Sequence, residues 1–180
     1  EFQKIINKNN IHTLYHFTDM SNIQSIKDYD ALISWGWAKK KGIEIPMPGG
    51  DDLSRKLDSR KNIEGYVKLS FNDNHPMKHV ALKQGRVDEI VILEIDPEVI
   101  LFADTLFSDM NATDSDANIG GSIEDFQLIN FDIATSDNWD GEDEKRYFQA
   151  EVLVLNRIPS KYIRNLDNIK MSNKVYHSDD

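Results

Sequence analysis

Residues 149–156, Gln149-Ala150-Glu151-Val152-Leu153-Val154-Leu155-Asn156, are the stretch on which the reading of this chain turns. β-Branched residues alternate with leucines, so residues 150–156 read as a strand. The two-residue period puts Glu151 on the face shared by Leu153 and Leu155. A carboxylate therefore heads an otherwise apolar row. Burying an unpaired charge is costly, so Glu151 sits at the open end of the strand, is paired, or is there for chemistry.

The rest of the sheet is read outward from this strand. Residues 11–17 (IHTLYHF), 31–37 (ALISWGW) and 66–71 (YVKLSF) are strand candidates. Residues 89–95 (EIVILEI) are so continuously apolar that burial on both faces is expected. Asp19 or Ser21 caps a short helix whose apolar positions Ile23 and Ile26 are three apart. Residues 39–52 read as loop, and 51–61 as a helix begun by Asp51 or Asp52. Pro76 opens a short helix through about Leu82 that Gly85 ends. Residues 104–145 are turn-rich and acidic, with regular structure expected only at 123–133 (IEDFQLINFDI), and Pro159 starts a short helical turn before a polar tail. Strands outnumber short helices in this reading, which gives an α+β fold around a mixed or antiparallel sheet. The 180 residues contain no repeat or linker and fit a single domain over 1–180.

Eight Phe, six Tyr and three Trp supply a core. No apolar run approaches the roughly 20 residues that cross a bilayer, so no membrane partner is expected, and the opening EFQKIINKNN lacks the apolar stretch of a secretory signal. The chain has no cysteine. That excludes disulfides, thiol nucleophiles and thiolate zinc sites, and a reducing cytoplasm is the expected setting.

The formal net charge of -10 argues against a protein that coats nucleic acid by neutralising phosphates. The charge is unevenly spread, however. Residues 39–86 carry eleven basic and six acidic residues, a balance of +5, whereas residues 87–151 carry two and eighteen, a balance of -16. A basic strip of this kind is either a solvated face or an anion-handling surface.

His16 ends the first strand candidate, sharing a face with Leu14 and Thr18, and Ser70 and Phe71 end another. A lone strand histidine is usually a hydrogen-bonded core or rim residue, and an aromatic there is usually core. His75 and His79 are four apart, a metal-compatible spacing, but without a third ligand nearby no metal site is expected. Arg55 and Arg60, in the basic strip, are each able to clamp a diphosphate with a planar donor fork. Neither GxGxxG nor GxxxxGK[ST] is present, so a nucleotide would be held by something other than a glycine-rich loop.

Three blocks in order resemble the DarT family of DNA-base ADP-ribosyltransferases. Leu14-Tyr15-His16-Phe17-Thr18, followed by Asn22-Ile23-Gln24-Ser25-Ile26, is similar to the family's opening segment and the helix after it. Tyr66-Val67-Lys68-Leu69-Ser70-Phe71 with His75-Pro76-Met77 resembles the second block, and Gln149-Ala150-Glu151-Val152-Leu153-Val154 the strand that opens with the family's catalytic glutamate. The likeness runs from about residue 11 to 165. It implies a split-sheet ADP-ribosyltransferase fold with NAD bent into the cleft and no metal. His16 and Thr18 would meet the nicotinamide ribose and carboxamide, Phe71 would stack near the nicotinamide, and Phe17, Asn22, Ser25 and Ser70 would complete the NAD side. Arg60 would be the active-site arginine, with Arg55 the other candidate. His75, Met77 and Trp139 would face the substrate. Residues 131–149 occupy the place of the substrate-recognition loop, although their acidity departs from a phosphate-binding surface.

The residues suit this chemistry. A fixed carboxylate stabilises the oxocarbenium-like centre formed as the nicotinamide–ribose bond breaks, and can take a proton from an incoming base nitrogen. A base inside a duplex is out of reach, so a single-stranded or flipped substrate is expected. The resemblance implies a toxin acting on guanine or thymine of single-stranded DNA, the His75-Pro76-Met77 form favouring guanine. Its partner would be an antitoxin that removes ADP-ribose, a macrodomain or related glycohydrolase. Transfer to RNA or protein, and a non-catalytic NAD- or nucleic-acid-binding module of the same fold, are the alternatives.

Overall fold

A computed structural model describes residues 1–47, 49–50 and 52–170. Its centre is a six-stranded, wholly antiparallel sheet in the order β4-β1-β3-β7-β5-β6, built from β1 (Leu14–Asp19), β3 (Tyr66–Ser70), β4 (Ile90–Ile95), β5 (Leu106–Ser108), β6 (Ile119–Gly120) and β7 (Glu151–Leu155). A separate two-stranded ribbon pairs β2 (Ala31–Ile33) with β8 (Arg157–Pro159). Asn156, with φ of 63°, makes the turn that takes the chain out of the main sheet and into the ribbon.

The strand expected at 150–156 is β7, and it is buried on both faces. Val152 and Val154 enter the main core, while Leu153 packs on the opposite face with Ile63 and Ala112, which confirms the alternation expected for Glu151. EIVILEI corrects the sequence expectation. β4 is an edge strand, with Val91, Leu93 and Ile95 buried and Glu94 exposed, because β1 is its sole ladder partner among the described residues. A continuous apolar run does not by itself tell a central strand from an edge strand lying on a core.

Helices are as numerous as strands among the described residues, eight of each, contrary to the sequence expectation. The 31–37 strand stops at Ile33, because the Ser34 side chain accepts the Trp37 N–H and caps α3 (Trp35–Lys41), which ends at a left-handed Gly42. Gly36 is required in its first turn. A Cβ there would meet the Glu64 carbonyl oxygen at 2.8 Å.

Neither α1 (Phe2–Lys8) nor α8 (Gly141–Phe148) is among the helices expected from sequence, although Phe2, Ile5 and Ile6 of α1 have the i, i+3, i+4 spacing of an apolar stripe. The first docks Phe2 on Phe107 and Phe126, and the second buries Phe148. Residues 123–133 divide into α6 (Ile123–Gln127), closed by a Ser122–Asp125 capping box, and α7 (Phe131–Ala134). The remaining helices fall where expected: α2 (Ile23–Asp28), α4 (Asp52–Arg60) and α5 (Pro76–Lys83). Asp19 caps the turn before α2, accepting from Ser21 N–H. Asp51 lies outside the described residues.

Candidate active site

The cleft follows from strand pairing. β1 lies against β4 through all six of its residues but meets β3 in register only at Tyr15↔Ser70. Beyond that pair β1 and β3 splay. A cavity of about 280 Å³ opens between them, lined from β1 by Tyr15–Thr18 and from β3 by Tyr66, Val67, Lys68 and Ser70. Where the strands part, a side chain takes over the bridging: His16 Nδ1 lies 2.9 Å from the Lys68 carbonyl oxygen. A carbonyl only accepts, so Nδ1 carries the hydrogen and Nε2 is the acceptor of the neutral ring. Burial lowers the His16 pKa, against the opposing effect of the Lys68 hydrogen bond, and keeps the ring neutral.

Glu151 stands at the inner end of the cleft, in register with Ser70 on one side and Ser108 on the other. It is 6% exposed, lines the cavity, and its Oε2 accepts the Ala112 N–H at 2.8 Å. Burial pushes its carboxyl above the usual range. The Lys68 charge and the Ala112 N–H pull it back, and Asp58 pushes it up further.

The opposite wall is a strap that includes Met47, Gly49 and Gly50, with Arg55 of α4 beside it. Asn22 bonds Met47 in both directions, Oδ1 accepting the Met47 N–H at 2.9 Å and Nδ2 donating to the Met47 carbonyl at 2.8 Å; Nδ2 also reaches Thr18 Oγ1 at 3.0 Å. Arg86 donates to the Gly49 carbonyl, and Arg55 to that of Gly50 at 2.8 Å. The Arg55 guanidinium lies over the Trp35 ring, 4.2 Å from its centroid. His75, 5% exposed, accepts the Met77 N–H through Nδ1, which caps α5 and puts the hydrogen of the neutral ring on Nε2. Burial, with the charges of Lys68 and Lys78, lowers its pKa to about 4.

A family model described as "ssDNA thymidine ADP-ribosyltransferase, DarT" matches residues 15–177. The chain belongs to the DarT family. The fold agrees with DarT structures of low identity. The chain is similar to Thermus sp. 2.9 DarT in complex with ADP-ribosylated single-stranded DNA, with a TM-score of 0.68 and 18% identity over 86% of this chain and 79% of that one. The same protein in complex with NAD+ gives a TM-score of 0.62 and 19% identity over 85% and 79%. Thermosipho africanus DarTG in complex with ADP-ribose gives 0.70 and 23%, over 84% of this chain and 42% of that one. No match was found among curated proteins.

Of the residues expected from the DarT resemblance, His16, Phe17, Thr18 and Asn22 line the cavity. Ser25, Ser70, Arg55, His75, Met77 and Glu151 line it too. Three do not. Arg60 is exposed at the last turn of α4, and Arg55, five residues earlier on the helix, is the member of the pair that reaches the cavity. Phe71 is buried in the main core, edge-on to Phe131 with centroids 5.7 Å apart, because the residue after Ser70 points to the other face of the sheet. Trp139 packs on Phe148 at 5.0 Å. No part of the 131–149 segment lines the cavity. It is tied to the turn before α5 instead, Asn72 Nδ2 donating to Ala134 and Phe148 carbonyls and Asn74 Nδ2 to Asp137.

Sequence reasoning missed Lys68, Asp58, Trp35 and Arg86. Lys68 was visible as the strand-face neighbour of Ser70, and Asp58 as the residue one turn after Arg55. Arg86 and Trp35 carried no local signal. His79 bonds Asn74, and among the described residues no cluster of three His, Cys, Asp or Glu is suited to a metal. No described helix is long and apolar enough to cross a membrane.

Proposed function

We propose that this DarT-family transferase moves ADP-ribose from NAD to a nucleobase of single-stranded DNA, with Glu151 as the catalytic carboxylate. The observation that carries the reading is Glu151 itself: a buried carboxylate on a strand paired on both sides, lining a cleft that an arginine and a neutral histidine also line. The cavity, about 280 Å³, lies just below the roughly 300–1,000 Å³ usual for small-molecule sites. It has room for the nicotinamide–ribose end of NAD, the rest of the dinucleotide continuing along the strap.

His16, Phe17, Thr18, Asn22, Ser25 and Ser70 form the NAD side, and Arg55 takes the arginine role. As the bond from ribose C1 to nicotinamide breaks, nicotinamide leaves with the electron pair and positive charge gathers on the ribose. Glu151 stabilises that charge, and the base nitrogen then bonds to C1 and yields its proton to Glu151. His75 and Met77 face the incoming base. The Nε2–H of His75 is buried without a partner among the described residues, and such a donor suits an acceptor of guanine or of thymine alike. The His75-Pro76-Met77 sequence is what favours guanine over the thymidine of the family description. The biological reading is a cytoplasmic toxin held in check by an antitoxin that removes ADP-ribose. The matched DarTG chain, of which this one spans less than half, supports such a pairing.

The test incubates wild type and Glu151→Gln with labelled NAD and single-stranded DNA, RNA or protein, and reads the modified base by mass spectrometry. Label on a guanine of DNA, absent with the variant, is the expected result. Label on thymine corrects the base, label on RNA or protein corrects the acceptor, and equal absence from both proteins makes the chain a binding module.

A further inference from the structure

The cleft contains a charge pair that this chemistry does not call on. Lys68 lies on β3 two residues before Ser70, so it shares a strand face with Ser70 and with the Glu151 that pairs Ser70 across the ladder. Its Nζ is 2.5 Å from Asp58 Oδ1 on α4; the two side chains are 24% and 17% exposed, and both line the cavity. Its backbone carbonyl is the acceptor for His16. We infer that Lys68 and Asp58 are positioning residues that jointly set the ionisation of Glu151, Lys68 holding it charged and Asp58 moderating that pull. The inference rests on the transferase role proposed for Glu151.

A buried carboxylate offers about four acceptor sites, and the described residues fill one, through Ala112. One neutral N–H does not offset the loss of hydration, so a nearby cation is needed to keep the group ionised. Lys68 is the cation whose field acts on Glu151, and Asp58 is the anion that acts with it. The cavity is also lined by Tyr15 and His16 from β1, Glu64 and Tyr66 at the start of β3, Arg86 after α5 and His75 from the α5 cap, the two histidines kept neutral by burial. Arg55 stands on the strap wall, and Asp109 after β5 is engaged with Asn118. A lysine alone would also oppose a cationic ribose. With Asp58 on it, the three groups sum to one negative charge, the sign such a centre requires.

The two residues therefore act in opposite directions. The test titrates Glu151 by NMR in protein carrying carboxyl-labelled glutamate, with Glu151→Gln identifying the resonance, in wild type, Lys68→Met, Lys68→Arg and Asp58→Asn. Circular dichroism verifies each fold, and Lys68→Gln replaces Lys68→Met should that variant unfold. Lys68→Met is expected to raise the midpoint by about one pH unit, Asp58→Asn to lower it, and Lys68→Arg to leave it within about 0.3 of wild type. The acid limb of transfer to single-stranded DNA should move with it. Shifts of both variants in one direction, or of neither beyond about 0.3 units, would overturn the inference. Failure of wild type to transfer ADP-ribose would remove the transferase reading while leaving the titration result standing.

Discussion

The two walls of the cleft are built by different means. Glu151 stands on a central strand with ladder partners on both sides, at Ser70 and Ser108, and its neighbours Val152, Leu153 and Val154 are all buried. Arg55 stands on a nine-residue helix beside a strap whose backbone is tied down by the side chains of Asn22, Arg55 and Arg86. Main-chain pairing thus fixes the carboxylate wall, whereas side-chain bonds fix the arginine wall. On the roles proposed above, replacing Glu151 on the first is expected to remove chemistry and spare structure. Replacing Arg55 on the second is expected to change chemistry and geometry together.

The sharpest separation comes from Glu151→Gln. Transfer is expected to fall by about 100- to 1,000-fold, the scale of losing one preorganised electrostatic group. The melting temperature should hold or rise, because the variant no longer buries a carboxylate whose pKa is raised by burial. Next is Arg55→Ala, for which kcat/KM should drop by about 10- to 100-fold with a raised KM, a loss of one charged contact of about 1.5–3 kcal/mol. Arg60→Ala should match wild type in the same steady-state assay. Equal losses from the two arginine variants would erase the distinction drawn between them.

Asn22→Ala cuts both bonds to Met47 and should cost about 1–3 kcal/mol by denaturant unfolding, with KM rising because the strap is released. The smallest effect is one of pH. His75 has a folded pKa of about 4, below its ordinary 6.5. The fold therefore keeps its full stability above pH 6.5 and loses it as pH falls toward 4. His75→Asn, which retains a capping acceptor for Met77, should flatten that slope in thermal melts taken across the window. His16, shifted in the same direction, adds to that slope.

The same contrast explains what could be read from sequence. Period-two alternation located Glu151, His16 and Ser70, since a strand side chain's direction is set by its position in a repeating backbone. Local patterns also located α5, through Pro76. They did not decide which of Arg55 and Arg60 reaches the cavity, because that needs the rotation of α4 about its axis, which depends on packing against Trp35 and the strap. The alternation argument applied to Phe71 would have turned it away from the cleft. The family resemblance pointed the other way, and the core holds it. α8 went unread because seven of its eight residues touch little of the core and Phe148 alone anchors it.

One property of the sheet bears on how the chain assembles. β7 is its last strand in sequence and occupies the middle of the spatial order, so β3 and β5 have no common neighbour until residues 151–155 arrive. Ladders that join residue 70 or 108 to residue 151 close long loops and form late and slowly. The carboxylate proposed to be catalytic travels on the segment that completes the sheet. A nascent or truncated chain lacking it has neither that carboxylate nor a continuous core, so on this proposal the fold and the activity are acquired together.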